Sequence, residues 1–170
     1  MELLGIPCDV KAEILKLASI SLCPSTIGQI SVGLTARPPK PGEESYELYV
    51  TEKTQILRSL QRRADSLSAA LNKINGITCN PIDGAMYAFP NITLPSKLVS
   101  AAEAEGVAPD AFYCMELLER TGIVVVPGSG FGQRDGTYHF RTTILPPEDK
   151  MKKVGAAFAK FHTEFTAEYA

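Results

Sequence analysis

Between Leu60 and Ile74 the apolar residues Leu60, Ala64, Leu67, Leu71 and Ile74 fall at steps of four and three, the spacing of one stripe along a helix. Such a helix has to lay its stripe on something, and Asn75-Gly76 supplies its stop. The chain beyond Gly76 is suited to being covered. The runs "GITCNP", "GAMYAFPNITL", "GIVVVPG" and "TYHFRTTIL" are short, β-branched or aromatic, and bounded by Gly and Pro, so they predict strands. Between the second and third, Ser96 to Glu105 and Asp110 to Arg120 predict helices, the latter closed by Gly122. Met151, Val154, Phe158, Phe161 and Phe165 then mark an amphipathic C-terminal helix. This order predicts an α+β fold, a small antiparallel or mixed sheet covered by the long helix and the C-terminal helix.

The N-terminal part reads differently. Asp9 is placed to cap a helix carrying Ile14, Leu15, Leu17, Ala18 and Leu22, which Pro24-Ser25 interrupts, and a shorter helical piece runs through Ile30 and Leu34. "ARPPKPGEES", Ala36 to Ser45, cannot continue a helix, because its prolines remove donors and restrict the residues before them. Residues 1–44 are therefore expected to be a connecting helical segment with a hinge, and residues 45–170 a small C-terminal domain. A chain of 170 residues with 45% hydrophobic side chains has material for one core and an extension.

Several function classes drop out on charge and composition. The net charge is -2 with Lys and Arg dispersed, so no basic stripe offers a nucleic-acid backbone several contacts. No apolar run approaches the roughly 20 residues of a membrane span, and "MELLGIPCDVKAEILKL" has none of the parts of a signal peptide. A soluble cytoplasmic protein is the expectation, with a mitochondrial parent left open. Cys8, Cys23, Cys79 and Cys114 form no C-x-x-C pair and neither His139 nor His162 lies near them, so no metal is expected and the thiols read as buried and free.

Two features of "VVVPGSGFGQRDGTYHFR" bear on chemistry. The loop Gly128-Ser129-Gly130-Phe131-Gly132 has neither the G-x-G-x-x-G nor the P-loop pattern, and it leads into a strand where phosphate motifs lead into a helix. It is either a flexible connection or backbone that approaches a ligand closely. In the strand Thr137 to Thr143, alternation puts Tyr138, Phe140 and Thr142 on one face and His139, Arg141 and Thr143 on the other. Arg141 must then find an anion or snorkel to water, and the anion would be either a structural acid or a bidentate substrate carboxylate. His139 and Ser129 with no identifiable acid make weak material for a triad. His162 reads as a satisfied or exposed helix residue and Lys97 as a surface helix start. Gly84 would permit close backbone approach beside the cleft-wall residues Met86, Tyr87 and Phe89.

"LCPSTIGQ", "GEESYELYVTEK", "NPIDGAMYAFP" and "APDAFYCMELLERTGIVVVPGSGFGQRDGTYHFRTTILPP" closely resemble the alanine aminotransferase family of fold-type I pyridoxal-phosphate enzymes. The resemblance runs almost end to end and covers the C-terminal third or so of that family. It implies reversible amino transfer between L-alanine and 2-oxoglutarate, giving pyruvate and L-glutamate, in a homodimer. It assigns Arg141 to the substrate α-carboxylate, Gly128, Ser129 and Gly130 to the edge of the substrate cleft, Gly84 to a cleft contact, and Pro24 and Ser25 to the neighbourhood of the subunit interface. The family's Schiff-base lysine and its other pyridoxal-phosphate ligands belong to a large domain upstream of these motifs. No catalytic residue is therefore expected here, the cofactor is not expected to be held covalently by this chain, and the chain alone is expected to be inactive. The alternatives are another enzyme of the same cofactor class, a lyase or synthase, and a non-catalytic module that binds a carboxylate or a partner.

Overall fold

A computed structural model describes residues 4–170, which separate into two compact units, one up to Thr51 and the other Glu52–Ala170. The first contains helices α1 (Cys8–Ala18) and α2 (Thr26–Ala36), joined through a 3-10 turn at Ser19–Ser21. Pro7 stands at the N-cap of α1 and no side chain caps it, so Asp9 lies inside the first turn, where it meets the helix dipole without serving as a cap. Ser25 caps α2, its hydroxyl accepting from the Gly28 N–H at 3.4 Å. Neither helix buries a residue, and Leu17, Ile20, Leu22, Ile27 and Leu34 all stand exposed. Cys8 and Cys23 are exposed as well, which corrects the expectation of buried thiols for these two, since two short helices alone cannot enclose a side chain.

The second unit has a true core. Helix α3 (Tyr46–Leu71) begins at the end of the first unit and buries Ala64, Leu67 and Leu71 in the second. It stops earlier than predicted: Ile74 is buried in the turn after the helix, and Gly76, at φ 86°, reverses the chain into β1 (Ile77–Thr78). The left-handed region is accessible to glycine without a Cβ penalty.

Strands β2 (Tyr87–Ala88) and β3 (Asn91–Ile92) both pair antiparallel with β5 (Tyr138–Thr143), Ala88 opposite Thr142 and Asn91 opposite His139. These pairs share one register, so "YAFPNI" is a single extended ribbon whose ladder is interrupted where Pro90 has no N–H to give; the Phe140 N–H still donates to the Pro90 carbonyl at 3.2 Å. The short strand β4 (Val126–Pro127) also pairs with β5, and β1 pairs with β3, which makes five strands among the described residues, all paired antiparallel. Only two residues of the "GIVVVPG" run enter the sheet, and Val124 is exposed.

Helices α4 (Ser96–Ala104), α5 (Pro109–Thr121) and α6 (Glu148–Glu168) complete the α+β fold. Gly122 ends α5 in the left-handed conformation, and its N–H bonds the Leu118 carbonyl. The inner face of the ribbon, with Ala88, Ile92 and Phe140, meets Tyr113 of α5 and Met151, Phe158, Phe161 and Phe165 of α6 in one core. Phe140 stacks on Phe158 with ring centroids 5.2 Å apart, and Phe161 on Phe165 at 5.1 Å.

His162 is buried within this aromatic core, its Nδ1 bonded to the Tyr113 hydroxyl at 3.0 Å. Burial pulls its pKa below the ordinary 6.5, opposed by a hydrogen bond to the Asn75 backbone. The folded state thus resists protonating a group that the unfolded chain protonates near 6.5. The unfolded state binds more protons below that value, so stability falls as pH falls from about 6.5 toward the lowered folded pKa. The urea midpoint is expected to drop over this window, and His162→Gln to remove the His162 part of that slope; an unchanged slope in the variant would refute the assignment.

Candidate functional site

The face of the sheet opposite the core carries most of the candidate site residues. The register that points Ala88, Phe140 and Ile92 inward turns Tyr87, Phe89, His139, Arg141 and Thr143 outward. Arg141 sits in the middle of this face, opposite Val126 on the β4 side. Its guanidinium carbon lies 4.6 Å from the Tyr87 ring centroid and 4.7 Å from that of Phe131. Among the described residues no carboxylate comes within ion-pair distance of it. Two aromatic rings attract a cation through their quadrupoles, but they leave its N–H edges without an acceptor.

Phe131 comes from the glycine loop, which is a 3-10 turn at Gly128–Phe131 between β4 and β5. The loop is held down by Asp110, from the first turn of α5. One carboxylate oxygen of Asp110, Oδ2, accepts from the Ser129 backbone N–H at 2.6 Å and from Gln133 Nε2 at 3.2 Å. Gln133 Oε1 in turn pairs with His139 Nδ1 at 3.1 Å, and His139 Nε2 with Asn91 Nδ2 at 3.2 Å. With both amides so placed, His139 carries its proton on Nδ1 and accepts at Nε2. The His139 ring stacks on Phe89 at 4.9 Å with planes 6° apart, and Phe89 meets the edge of Phe131 at 5.8 Å.

The three loop glycines differ in what they do. A Cβ on Gly128 would strike Gln133 Oε1 and lie 2.8 Å from His139 Cβ and 2.9 Å from the His139 carbonyl oxygen, so this is the close approach. Gly132 has φ 69°, whereas Gly130 faces open space with no such constraint. Gly84 likewise has nothing within 4 Å; it lines a hollow of about 330 Å³ with Leu57, Leu60, Ile82 and Met86. A second hollow, of about 250 Å³, lies beside Asp110, Ser129 and Gln133, and Arg141 lines neither. The fold thus brings Gly128, Ser129 and Gly130 to the strand that carries Arg141, while Gly84 opens on separate ground.

Other candidates resolve as structural parts. Among the described residues no hydrogen bond joins Ser129 to His139, so no triad forms. Lys97 Nζ donates to the Ala170 carbonyl at 2.6 Å, pinning the end of the chain. Burial and the nearby Asp110 charge push the Cys114 thiol up to about 12, the state of an inert core cysteine. No group of three or more His, Cys, Asp or Glu suited to a metal occurs among the described residues, and no helix among them is long and apolar enough to cross a membrane. Asp110 is the buried polar residue beside this site that sequence reasoning missed. An acid just after a proline at a helix start is ordinary first-turn chemistry, and nothing local says that it will be buried.

An antiparallel sheet backed by helices, presenting an arginine over two aromatic rings beside a glycine loop, accompanies the sequence match: residues 3–158 match the aminotransferase class I and II family, and the chain belongs to it. The probable mitochondrial alanine aminotransferase of Dictyostelium discoideum is 58% identical over 169 residues, covering 99% of this chain and 32% of that protein. Glutamate–glyoxylate aminotransferase 2 of Arabidopsis thaliana is 50% identical, covering 99% of this chain and 35% of that protein. Among solved structures, the alanine aminotransferase of Pyrococcus furiosus superposes with a TM-score of 0.66 at 30% identity, over 91% of this chain and 34% of that one. The chain therefore spans about a third of the length of these relatives.

Proposed function

We propose that this chain is the small-domain part of an alanine aminotransferase, in which Arg141 grips the α-carboxylate of the amino-acid or oxo-acid substrate. The observation that carries the reading is the Arg141 guanidinium on the outer face, over two rings and with no carboxylate at ion-pair distance among the described residues. A carboxylate meeting its N–H edge completes two parallel charge-assisted bonds, a geometry that lysine supports less well. Gripping the acid group orients the Cα substituents and supplies binding energy; it breaks no bond.

In the complete protein pyridoxal phosphate, when bound, supplies the electron sink for amino transfer between L-alanine and 2-oxoglutarate. The glycine loop does not suit that cofactor's phosphate, because its Ser129 N–H already points at the Asp110 carboxylate, which would repel an anion. The lysine that bears the cofactor is accordingly assigned to the portion of the relatives that this chain does not span. Residues 1–44 are proposed as the connecting segment and 45–170 as the small domain, with the complete enzyme's own large domain covering the apolar residues exposed on α1 and α2 and the Pro24-Ser25 turn near a homodimer interface. The Dictyostelium relative is mitochondrial by name, which supports a mitochondrial parent beside the cytoplasmic one expected from sequence.

The test uses the full-length enzyme. Arg141→Ala is expected to raise KM for alanine and for 2-oxoglutarate roughly 10- to 100-fold, the worth of hydrogen bonds between charged groups, while the cofactor absorbance stays as in wild type. Lost cofactor or unchanged KM values would contradict the assignment. The Arabidopsis relative supports a second reading, with glutamate and glyoxylate as the preferred pair. A higher kcat/KM for that pair than for alanine and 2-oxoglutarate would favour it.

A further inference from the structure

Asp110 is buried to 1% exposure, and its Oδ1 is the only buried side-chain oxygen or nitrogen among the described residues without a hydrogen-bond partner. A buried carboxylate with one idle oxygen is poor material for stability, since desolvation is only partly offset by the hydrogen bonds it accepts and by the helix N-terminus it occupies. What it provides is geometry. Its other oxygen gathers the Ser129 N–H and the Gln133 amide into one point, so the loop between them has both ends tied to α5. Phe131 sits within that span, with its ring against Arg141. The same Gln133 amide passes the constraint to His139, and from there through Phe89 back to the edge of Phe131.

We propose that Asp110 is a positioning residue for substrate carboxylate binding: by clamping Ser129 and Gln133 it fixes Phe131, and Phe131 with Tyr87 holds the Arg141 guanidinium at a set place on the sheet. The inference rests on the reading of Arg141 as the carboxylate grip and adds to it a residue that touches neither substrate nor Arg141. Without the clamp the loop gains freedom, the Phe131 wall recedes, and the guanidinium samples rotamers in which its two N–H bonds to a carboxylate cannot both form. An interaction that binds substrate and transition state alike loses KM before kcat.

The experiment compares Asp110→Ala, Asp110→Asn and Arg141→Ala in the full-length holoenzyme, with steady-state kinetics on alanine and 2-oxoglutarate and calorimetric binding of propionate, an unreactive monocarboxylate. Asp110→Ala is expected to raise KM and the propionate Kd about five- to tenfold with kcat changed less than about threefold, as a misplaced binding group does. Asp110→Asn keeps an oxygen for the Ser129 N–H and is expected to recover most of that loss. A purely structural Asp110 would lower Tm and the fraction of active sites while leaving KM and the Kd per folded site at wild-type values, and that result overturns the proposal. Should Asp110→Ala fail to fold, Gln133→Ala cuts the same clamp from the other side and carries the same expectation; unchanged KM and Kd in it are equally fatal. If Arg141→Ala raises the propionate Kd and the Asp110 and Gln133 variants do not, only the positioning role fails. If Arg141→Ala also leaves it unchanged, the carboxylate reading itself has failed.

Discussion

Phe140→Ala is expected to cost this chain about 3–5 kcal/mol of stability, the range for emptying a fully buried phenylalanine site. Phe140 has no exposed surface, stacks on Phe158 at 5.2 Å and lies 6.3 Å from Tyr113. It occupies the central strand, opposite Pro127 in β4, with its N–H on the Pro90 carbonyl of the neighbouring ribbon. Its neighbours come from a strand, α5 and α6, which are tied to one another through further aromatic contacts, so collapse into the vacated space is restricted and a cavity remains. Urea unfolding followed by far-UV circular dichroism measures the effect as a shift in midpoint at constant slope. A loss below about 1 kcal/mol would mean that the core repacks freely, contrary to this geometry.

The second large effect belongs to Gly128. Its backbone conformation is open to any residue, so Gly128→Ala is a test of space alone. The added methyl meets three obstacles, of which the Gln133 side chain can swing aside; the His139 carbonyl oxygen at 2.9 Å and Cβ at 2.8 Å cannot, because β5 is locked between two neighbours. A loss of about 3 kcal/mol, the upper part of the usual overpacking range, is expected. Displacing Gln133 also breaks its bonds to Asp110 and His139. Gly130→Ala in the same loop faces open space and should stay within about 0.5 kcal/mol of wild type. The same unfolding measurement decides: equal losses at the two positions would show that loop flexibility matters and close approach does not.

Much of this architecture is readable in one dimension, because it is local. The stripe Leu60, Ala64, Leu67 and Leu71 needs only the helical period, and the last three are buried as that period requires. The alternation of Tyr138 to Thr143 correctly sends Phe140 to the core and Arg141 to the other face. Gly122 ends α5 as a left-handed cap. Where the sequence misleads, the deciding partner lies elsewhere in the chain. Pro90 divides a strand that composition presents as continuous, because a missing N–H shows only against the ladder of β5. The exposed cysteines, Cys8 at the start of α1 and Cys23 in the bend before α2, belong to a stretch in which neither helix buries a residue.

Taken as a string, the chain determines most of its helices, the facing of its central strand, its family-bearing motifs and the placing of an arginine on that strand's outer face, since each depends on residues within a turn or two of one another. It does not distinguish three glycines that look alike, nor an ordinary helix-start aspartate from a buried clamp. Those were decided by tertiary structure: Asp110 meets Ser129 and Gln133 only when α5 and the loop after β4 fold together, and Gly128 becomes indispensable only when β5 passes within van der Waals reach of it. Burial and close approach are properties of pairs distant in sequence, and only packing brings such pairs together.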